Sequence, residues 1–259
     1  MFIGTVLWEK GQPDQAIEMM ESCLLLSKKA NFIAAPAFVG AQLALVHTYL
    51  GDFKLAEEMA NNALNFAGDN LPIYRPLPLI VHGLMFLLKN NFNELETVIN
   101  DLNRLSDTQV ISFALDVNYF TSLYLSAIGD LEEASNLISD LLRVIKESNA
   151  NMYLARSLFL KGEILRKKGQ VDEAAKVLRE AQSSAESIGA IWPLWQILAT
   201  QGRVHDDLGD SAAASSAVSK ARVILETIAD RLPSMKMRNS FLSSPYVGLY
   251  LTTQADDSL

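Results

Sequence analysis

The sequence contains little cysteine, proline or glycine: its 259 residues include 1 Cys, 8 Pro and 13 Gly. A single cysteine, Cys23, excludes a disulfide within the chain and any metal site built from several thiolates. The scarcity of Pro and Gly favours long helices separated by short turns. Apolar residues make up 49% of the chain, which is enough for a folded core.

Basic residues are also in deficit, with 22 Lys and Arg against 30 Asp and Glu and a formal net charge of −8. Because proteins that bind nucleic acid by neutralising phosphates are normally basic, nucleic acid is not an expected partner. The longest apolar run, residues 76–88, is too short to span a bilayer and contains two prolines and a histidine. The N-terminal residues do not match a signal peptide. We therefore expect a cytoplasmic protein with no membrane partner.

Motifs for catalysis or metal binding are missing as well. The sequence contains no G-x-x-x-x-G-K-[ST], no G-x-G-x-x-G and no H-E-x-x-H. His47 and His205 recur at one repeat position that favours packing, and Cys23 lies at a packing position that predicts a buried thiol. We therefore expect no catalytic residues, no metal, no cofactor and no enzymatic activity.

A turn residue recurs every 39 or 40 residues along the chain. The six markers are Gly11, Gly51, Asn90, Gly129, Gly169 and Gly209. Gly and Asn tolerate the left-handed conformation that commonly ends a helix. The residue after each marker is Gln, Asp or Asn, which suits the start of the next helix. The spacing predicts six helix–turn–helix junctions.

Small and apolar residues recur at fixed distances from these markers. Seven residues before the marker come Gly4, Ala44, Gly83, Ser122, Gly162 and Gly202. Five residues after the marker come Ala16, Ala56, Leu95, Ala134, Ala174 and Ala214. Nine residues after it come Met20, Ala60, Ile99, Ile138, Leu178 and Val218. Twelve residues after it come Cys23, Ala63, Leu102, Leu141, Ala181 and Ala221. Offsets of four and three place the last three sets on one helix face. Each predicted helix pair must therefore pack on its neighbours to bury that face.

The small residue before the turn, the Gly-Asp turn and the Ala five residues later resemble the tetratricopeptide repeat over about residues 1–232. The period near 40 residues is longer than the usual period of about 34. The chain is similar to the MalT-type helical regions of signalling ATPases, cyclases and transcription regulators. Residues 237–245 also resemble the closing segment of such regions. The resemblance implies an all-α, right-handed superhelical solenoid of about six antiparallel helix pairs.

Prolines and small polar residues predict the boundaries of the repeats. We expect repeats at residues 1–32, 33–71, 72–109, 110–150, 151–190 and 191–232. Residues 233–259 are expected to form a capping segment, whose Phe241, Leu242, Val247 and Leu249 cover the last apolar face. The final residues from 252 onward are expected to be a mobile tail.

The resemblance also implies a concave groove lined by the first helix of each pair. The expected partner-binding residues are Phe38, Leu45, Tyr49, Leu77, Ile80, Leu84, Leu88, Tyr119, Leu123, Arg156, Phe159, Glu163, Arg166 and Arg203. This lining is apolar in the third repeat and charged in the fifth and sixth, which suits an amphipathic peptide. The alternative is that a self-contact covers the leucines of the third repeat. Arg166, Lys167 and Lys168 are expected at a solvated helix end, where cations suit the helix dipole.

Three hypotheses for function follow. The first is a non-catalytic scaffold that holds a protein or peptide in the groove, as a regulatory module of a larger signalling protein or complex. The second is a sensor of a small ligand or signalling peptide that controls an attached ATPase, cyclase or transcription regulator. The third is a module for self-association.

Overall fold

The computed structural model describes residues 2–68, 71–105 and 111–251, with the backbone alone at residues 111 and 112. These described residues form helices and contain no strand. The helices are α1 (Ile3–Glu9), α2 (Pro13–Lys29), α3 (Ala34–Tyr49), α4 (Phe53–Ala67), α5 (Pro76–Leu88), α6 (Phe92–Arg104), α7 (Ile111–Ala127), α8 (Leu131–Glu147), α9 (Leu154–Lys167), α10 (Val171–Ile188), α11 (Ile191–Asp207), α12 (Ser211–Ala229), α13 (Met235–Leu242) and α14 (Pro245–Leu251). Across the described ranges, none of these helices combines the length and hydrophobicity needed to cross a membrane.

The six predicted turn markers all have a positive φ, between 56° at Asn90 and 86° at Gly129. Three of the residues that follow them cap the next helix through a carboxylate oxygen. Asp52, Asp130 and Asp210 accept hydrogen bonds from the backbone N–H groups of Leu55, Glu133 and Ala213. Both the left-handed turns and the helix starts predicted from the sequence are confirmed.

The two helices of a pair approach closely at one point. There, the small residue seven positions before the turn marker faces the residue nine positions after the marker. A Cβ added to Gly162 would lie 2.6 Å from Cγ of Leu178. The equivalent contact in the last repeat, between Gly202 and Val218 Cγ2, would also be 2.6 Å. Because such distances are shorter than van der Waals contact, these positions require glycine for the observed helix spacing.

The predicted apolar stripe on the second helix of each pair is buried. Of its eighteen residues, all are buried except Cys23 and Val218, which are half-buried. The prediction of a buried Cys23 thiol is therefore wrong. Cys23 lines an open cavity, described below, and its side chain is partly accessible.

The described residues fall into two units. The first unit contains the described parts of 1–8, 12–117 and 231–248. Within it, Ser240 Oγ donates a hydrogen bond to the Leu50 carbonyl at 2.6 Å, and Phe241 is fully buried. The α13 region therefore packs at the end of α3.

The second unit contains the described parts of 9–11, 118–230 and 249–259. Its core brings together buried side chains of α8 to α12, with Leu178 and Ala181 of α10 and Ile197 of α11 fully covered. Tyr250 and Leu251 pack against this core. The repeat boundary expected at residues 106–109 and the tail from 252 onward lie outside the described residues.

Candidate partner-binding site

In the first unit, the predicted groove residues Phe38 and Tyr49 of α3 are covered by aromatic side chains of the same unit. The ring of Phe38 lies 5.1 Å from that of Phe2 and 5.9 Å from that of Phe113, between centroids. The ring of Tyr49 lies 4.5 Å from that of Tyr246. Leu45 is half-buried. The α3 positions are thus largely occupied by contacts within the chain.

The predicted groove residues on α5, in the third repeat, are also mostly buried. Leu77, Ile80 and Leu84 are buried, with relative exposures of 8%, 8% and 6%. Leu88, at the end of the helix, is half-buried. Leu77, Ile80 and Leu84 are thus covered by other parts of the chain.

The second unit presents a more polar and more accessible set of predicted residues, beginning with Arg156 of α9. Its guanidinium lies over the Tyr119 ring at 5.1 Å and over the Tyr153 ring at 4.4 Å from the centroids. Burial raises the pKa of Tyr119 to about 12, although the charge of Arg156 opposes this shift. Tyr119 is therefore a neutral phenol at physiological pH. Leu123, one turn further along α7, is half-buried.

Glu163 of α9 and Arg203 of α11 form an ion pair in the same unit. Arg203 Nη2 donates hydrogen bonds to Glu163 Oε1 and to Thr200 Oγ1, both at 3.1 Å. The side chains of Arg203 and Glu163 are 23% and 12% exposed. Each residue lies six positions before its turn marker, so the pair joins equivalent positions of consecutive repeats.

The three basic residues at the end of α9 contact neighbouring helices. Arg166 donates from Nε to Asp207 Oδ2 at 2.6 Å and from Nη2 to Oδ1 at 3.4 Å. Lys167 Nζ donates to the Ser126 carbonyl at 3.0 Å, and Lys168 Nζ contacts the Glu132 carboxylate at 2.9 Å. The helix end is therefore only partly solvated: Lys167 is exposed as expected, whereas Arg166 and Lys168 are half-buried and link the end of α9 to α11 and α8.

Tyr250 of α14 also contacts predicted lining residues of the second unit. The sequence did not predict this contact. The ring of Tyr250 lies 5.7 Å from that of Phe159 and 5.4 Å from that of Trp195. The guanidinium of Arg203 lies 5.8 Å from the centroid of the same ring. Phe159 and Trp195 are 3% and 0% exposed. Two predicted lining residues, Phe159 and Arg203, thus meet α14.

A cavity in the first unit was also missed by the sequence. It has a volume of about 420 Å³ and lies between α1, α2 and the start of α3. Its walls include Met19, Cys23, Leu26 and Phe32. Within the described ranges, no three His, Cys, Asp or Glu side chains come together in a way that could hold a metal ion.

Comparison with known proteins agrees with this architecture. The tetratricopeptide repeat family matches residues 1–29 and 155–187. A crystal structure of nearly identical TPR-like repeats from Podosopora anserina, whose name assigns them to a kinesin light chain, is similar over 71% of this chain and 92% of that chain. The TM-score is 0.50 at 14% identity. The chain has a tetratricopeptide-like fold. Its sequence matches no curated protein.

The predicted all-α class built from antiparallel helix pairs is confirmed. Stacked helical repeats of this kind create extended surfaces suited to binding. The side chains brought together in the second unit are of the types that dominate binding energy at interfaces, namely Tyr, Trp and Arg.

Proposed function

We propose that this protein is a non-catalytic scaffold that holds a protein or peptide segment against one face of the second unit. We name this the α9–α11 face and define it by Tyr119, Arg156, Phe159, Glu163, Arg166 and Arg203. The observation that carries the proposal is the pairing of Glu163 with Arg203 and of Arg166 with Asp207 on successive first helices. Such fixed, partly covered charges orient a ligand without having to be ordered on binding.

The chemistry of the face indicates an amphipathic partner segment. Arg156 and Arg166 offer guanidinium groups for carboxylates or carbonyls, and Tyr119 offers an aromatic ring beside them. Because the cations are already held by contacts within the unit, binding needs little further loss of side-chain entropy. We expect a partner that combines acidic and apolar side chains.

A charge exchange tests this proposal without breaking the fold. The double variant Arg166→Asp/Asp207→Arg keeps an ion pair but reverses its direction across the face. Peptides selected from a random library for binding to the full chain should bind this variant at least about tenfold more weakly, since one charged contact contributes about 1.5–3 kcal/mol. Thermal unfolding should show that the variant is folded.

The matched control exchanges an exposed pair on α8. Arg143 and Asp140 lie 3.2 Å apart with side chains 61% and 70% exposed. The double variant Arg143→Asp/Asp140→Arg should leave peptide binding unchanged. Equal effects of the two exchanges, or no effect of either, would show that the selected peptides bind elsewhere.

We further propose that the setting is regulatory, within a larger signalling protein of the MalT type. The resemblance of residues 237–245 to the closing segment of such regions supports this. The gene provides the test. A continuous reading frame that encodes an ATPase, cyclase or DNA-binding domain beside this segment would support the regulatory role. A frame that contains only helical repeats would contradict it.

A second candidate function is the sensing of a small apolar ligand in the first unit. The cavity beside α1 and α2, at about 420 Å³, is within the size range of small-molecule sites. Straight-chain fatty acids and alcohols should raise the melting temperature by several degrees if this function is present. The variant Met19→Trp, which fills the cavity, should abolish that shift. A panel that leaves the wild-type melting temperature unchanged would rule the sensor out.

Self-association, the third hypothesis from the sequence, stays a prediction. Among the described residues, eight of the fifteen large exposed hydrophobic side chains lie within residues 2–33, which favours an apolar contact there. Sedimentation velocity over a hundredfold range of concentration tests it. A single monomeric species throughout would remove this hypothesis.

A further inference from the structure

The α9–α11 face already holds a side chain of the chain itself. Tyr250 of α14 contacts Phe159, Trp195 and Arg203, which belong to the second unit with it. The angle between the rings of Tyr250 and Trp195 is 84°, an edge-to-face arrangement. Edge-to-face rings and a cation above a ring are both attractive geometries.

Removing Tyr250 would uncover a defined surface. Trp195 and Phe159 are almost completely buried with Tyr250 in place, and Arg203 lies above the ring. An incoming partner that displaced Tyr250 would have to cover the same two rings. A segment without an aromatic side chain would leave them exposed to water, which is unfavourable because apolar surface is then hydrated.

We propose that Tyr250 is an internal occupant of the α9–α11 face, and that the partner presents an aromatic side chain that takes its place. This inference rests on the proposed function and specifies the partner as a segment with an aromatic residue. A tethered segment competes at an effective concentration that reaches the millimolar range. The occupant therefore weakens partner binding until a strong or locally concentrated ligand displaces it.

The test uses the chain's own segment as the probe. A synthetic, fluorescein-labelled peptide with the sequence of residues 245–259 is titrated into the full chain, and its anisotropy is followed. The wild-type chain should bind it weakly. The variant Tyr250→Ala should bind it at least about tenfold more tightly, because two ring contacts and a cation–π contact no longer hold the internal segment. The same peptide with Ala in place of Tyr250 should show no gain on this variant.

Two further variants separate occupancy from mere loss of stability. Tyr246→Ala removes the same side chain one helical turn earlier, where it contacts Tyr49 in the first unit. This variant should bind the peptide as weakly as the wild type does, and it should lose about as much thermal stability as Tyr250→Ala. Tyr250→Leu keeps apolar bulk and protects the fold if the alanine variant unfolds. It should bind the peptide at least about threefold more tightly than the wild type, since only the ring contacts are lost.

The results separate this inference from the proposed function. Equal peptide affinity for the wild type and both Tyr250 variants would overturn the internal-occupant inference. If library peptides still lose affinity on the Arg166–Asp207 exchange, the proposed function stands without it. A gain on Tyr246→Ala equal to that on Tyr250→Ala would also overturn the inference, because the effect would then reflect general loosening.

Discussion

Arg203 and Glu163 form a hydrogen-bonded ion pair at 3.1 Å from the same position of two consecutive repeats. This contact is one of those that join the fifth helix pair to the sixth. The pair is mostly covered, so leaving either charge alone is costlier than the pair itself is stabilising. This asymmetry makes the pair a sensitive probe of how the repeats are connected.

Breaking this pair should destabilise the protein more than removing it altogether. We expect Arg203→Met alone to lower the free energy of unfolding by about 1–3 kcal/mol, because it leaves the Glu163 carboxylate covered and unpaired. The double variant Arg203→Met/Glu163→Met should lose less than the sum of the two single variants. Urea unfolding of the wild type, Arg203→Met, Glu163→Met and the double variant gives the coupling energy between the two side chains. Strict additivity would mean that the two side chains do not interact in solution.

The Gly162 position should not tolerate even one methyl group. In Gly162→Ala, the new Cβ would lie 2.6 Å from Leu178 Cγ, so α9 and α10 would have to move apart. Overpacking of this kind costs about 1–3 kcal/mol, which exceeds the gain in helix propensity of about 1 kcal/mol. The free energy of unfolding in urea should therefore fall. Gly248→Ala is the control, because nothing lies within 4 Å of its added Cβ, and it should be neutral or stabilising.

The turn at Gly169 should distinguish backbone strain from steric contact. Its φ is +75° and an added Cβ would meet nothing within 4 Å, so any loss in Gly169→Ala comes from the backbone alone. We expect that loss to be about 1–2 kcal/mol. Gly169→Asn should lose clearly less, since Asn90 adopts a φ of +56° at the equivalent turn. Thermal unfolding of both variants measures the difference, and equal losses would contradict the left-handed turn.

Acidification should destabilise the first unit through His47. Burial lowers the pKa of His47 below its ordinary value of 6.5, although Asp52 partly opposes the shift. Between the lowered and the ordinary pKa, the unfolded chain binds more protons than the folded one. The free energy of unfolding therefore falls as the pH drops through 6.5, by at most about 1.4 kcal/mol per pH unit for one histidine. Urea unfolding at several pH values should show a weaker dependence in His47→Gln. An unchanged dependence would contradict this assignment.

The local features of the fold were predictable from the sequence because each depends on a few neighbouring residues. Gly169 with Gln170, or Gly51 with Asp52, indicates a left-handed turn followed by a helix start, whatever lies elsewhere in the chain. The contact between Gly162 and Leu178 follows from the same logic, since a short turn brings residues on its two sides together.

The site depended on side-chain contacts that the repeat spacing does not specify. Arg166 and Asp207 are 41 residues apart, and their contact depends on the register between α9 and α11. The sequence offered one usable signal, because Glu163 and Arg203 are opposite charges at one repeat position. The position of Tyr250 offered none, because α14 lies outside the repeat pattern and its docking is set by tertiary packing.

Hydrogen–deuterium exchange of the full chain, with and without a library-selected peptide, shows which helices a partner covers. We expect added protection on α7, α9 and α11, the helices that carry Tyr119, Arg166 and Arg203. We expect little change on α8, α10 and α12. Protection concentrated on α8, α10 or α12, with the first helices unchanged, would show that partners bind the opposite surface and would contradict the proposed function.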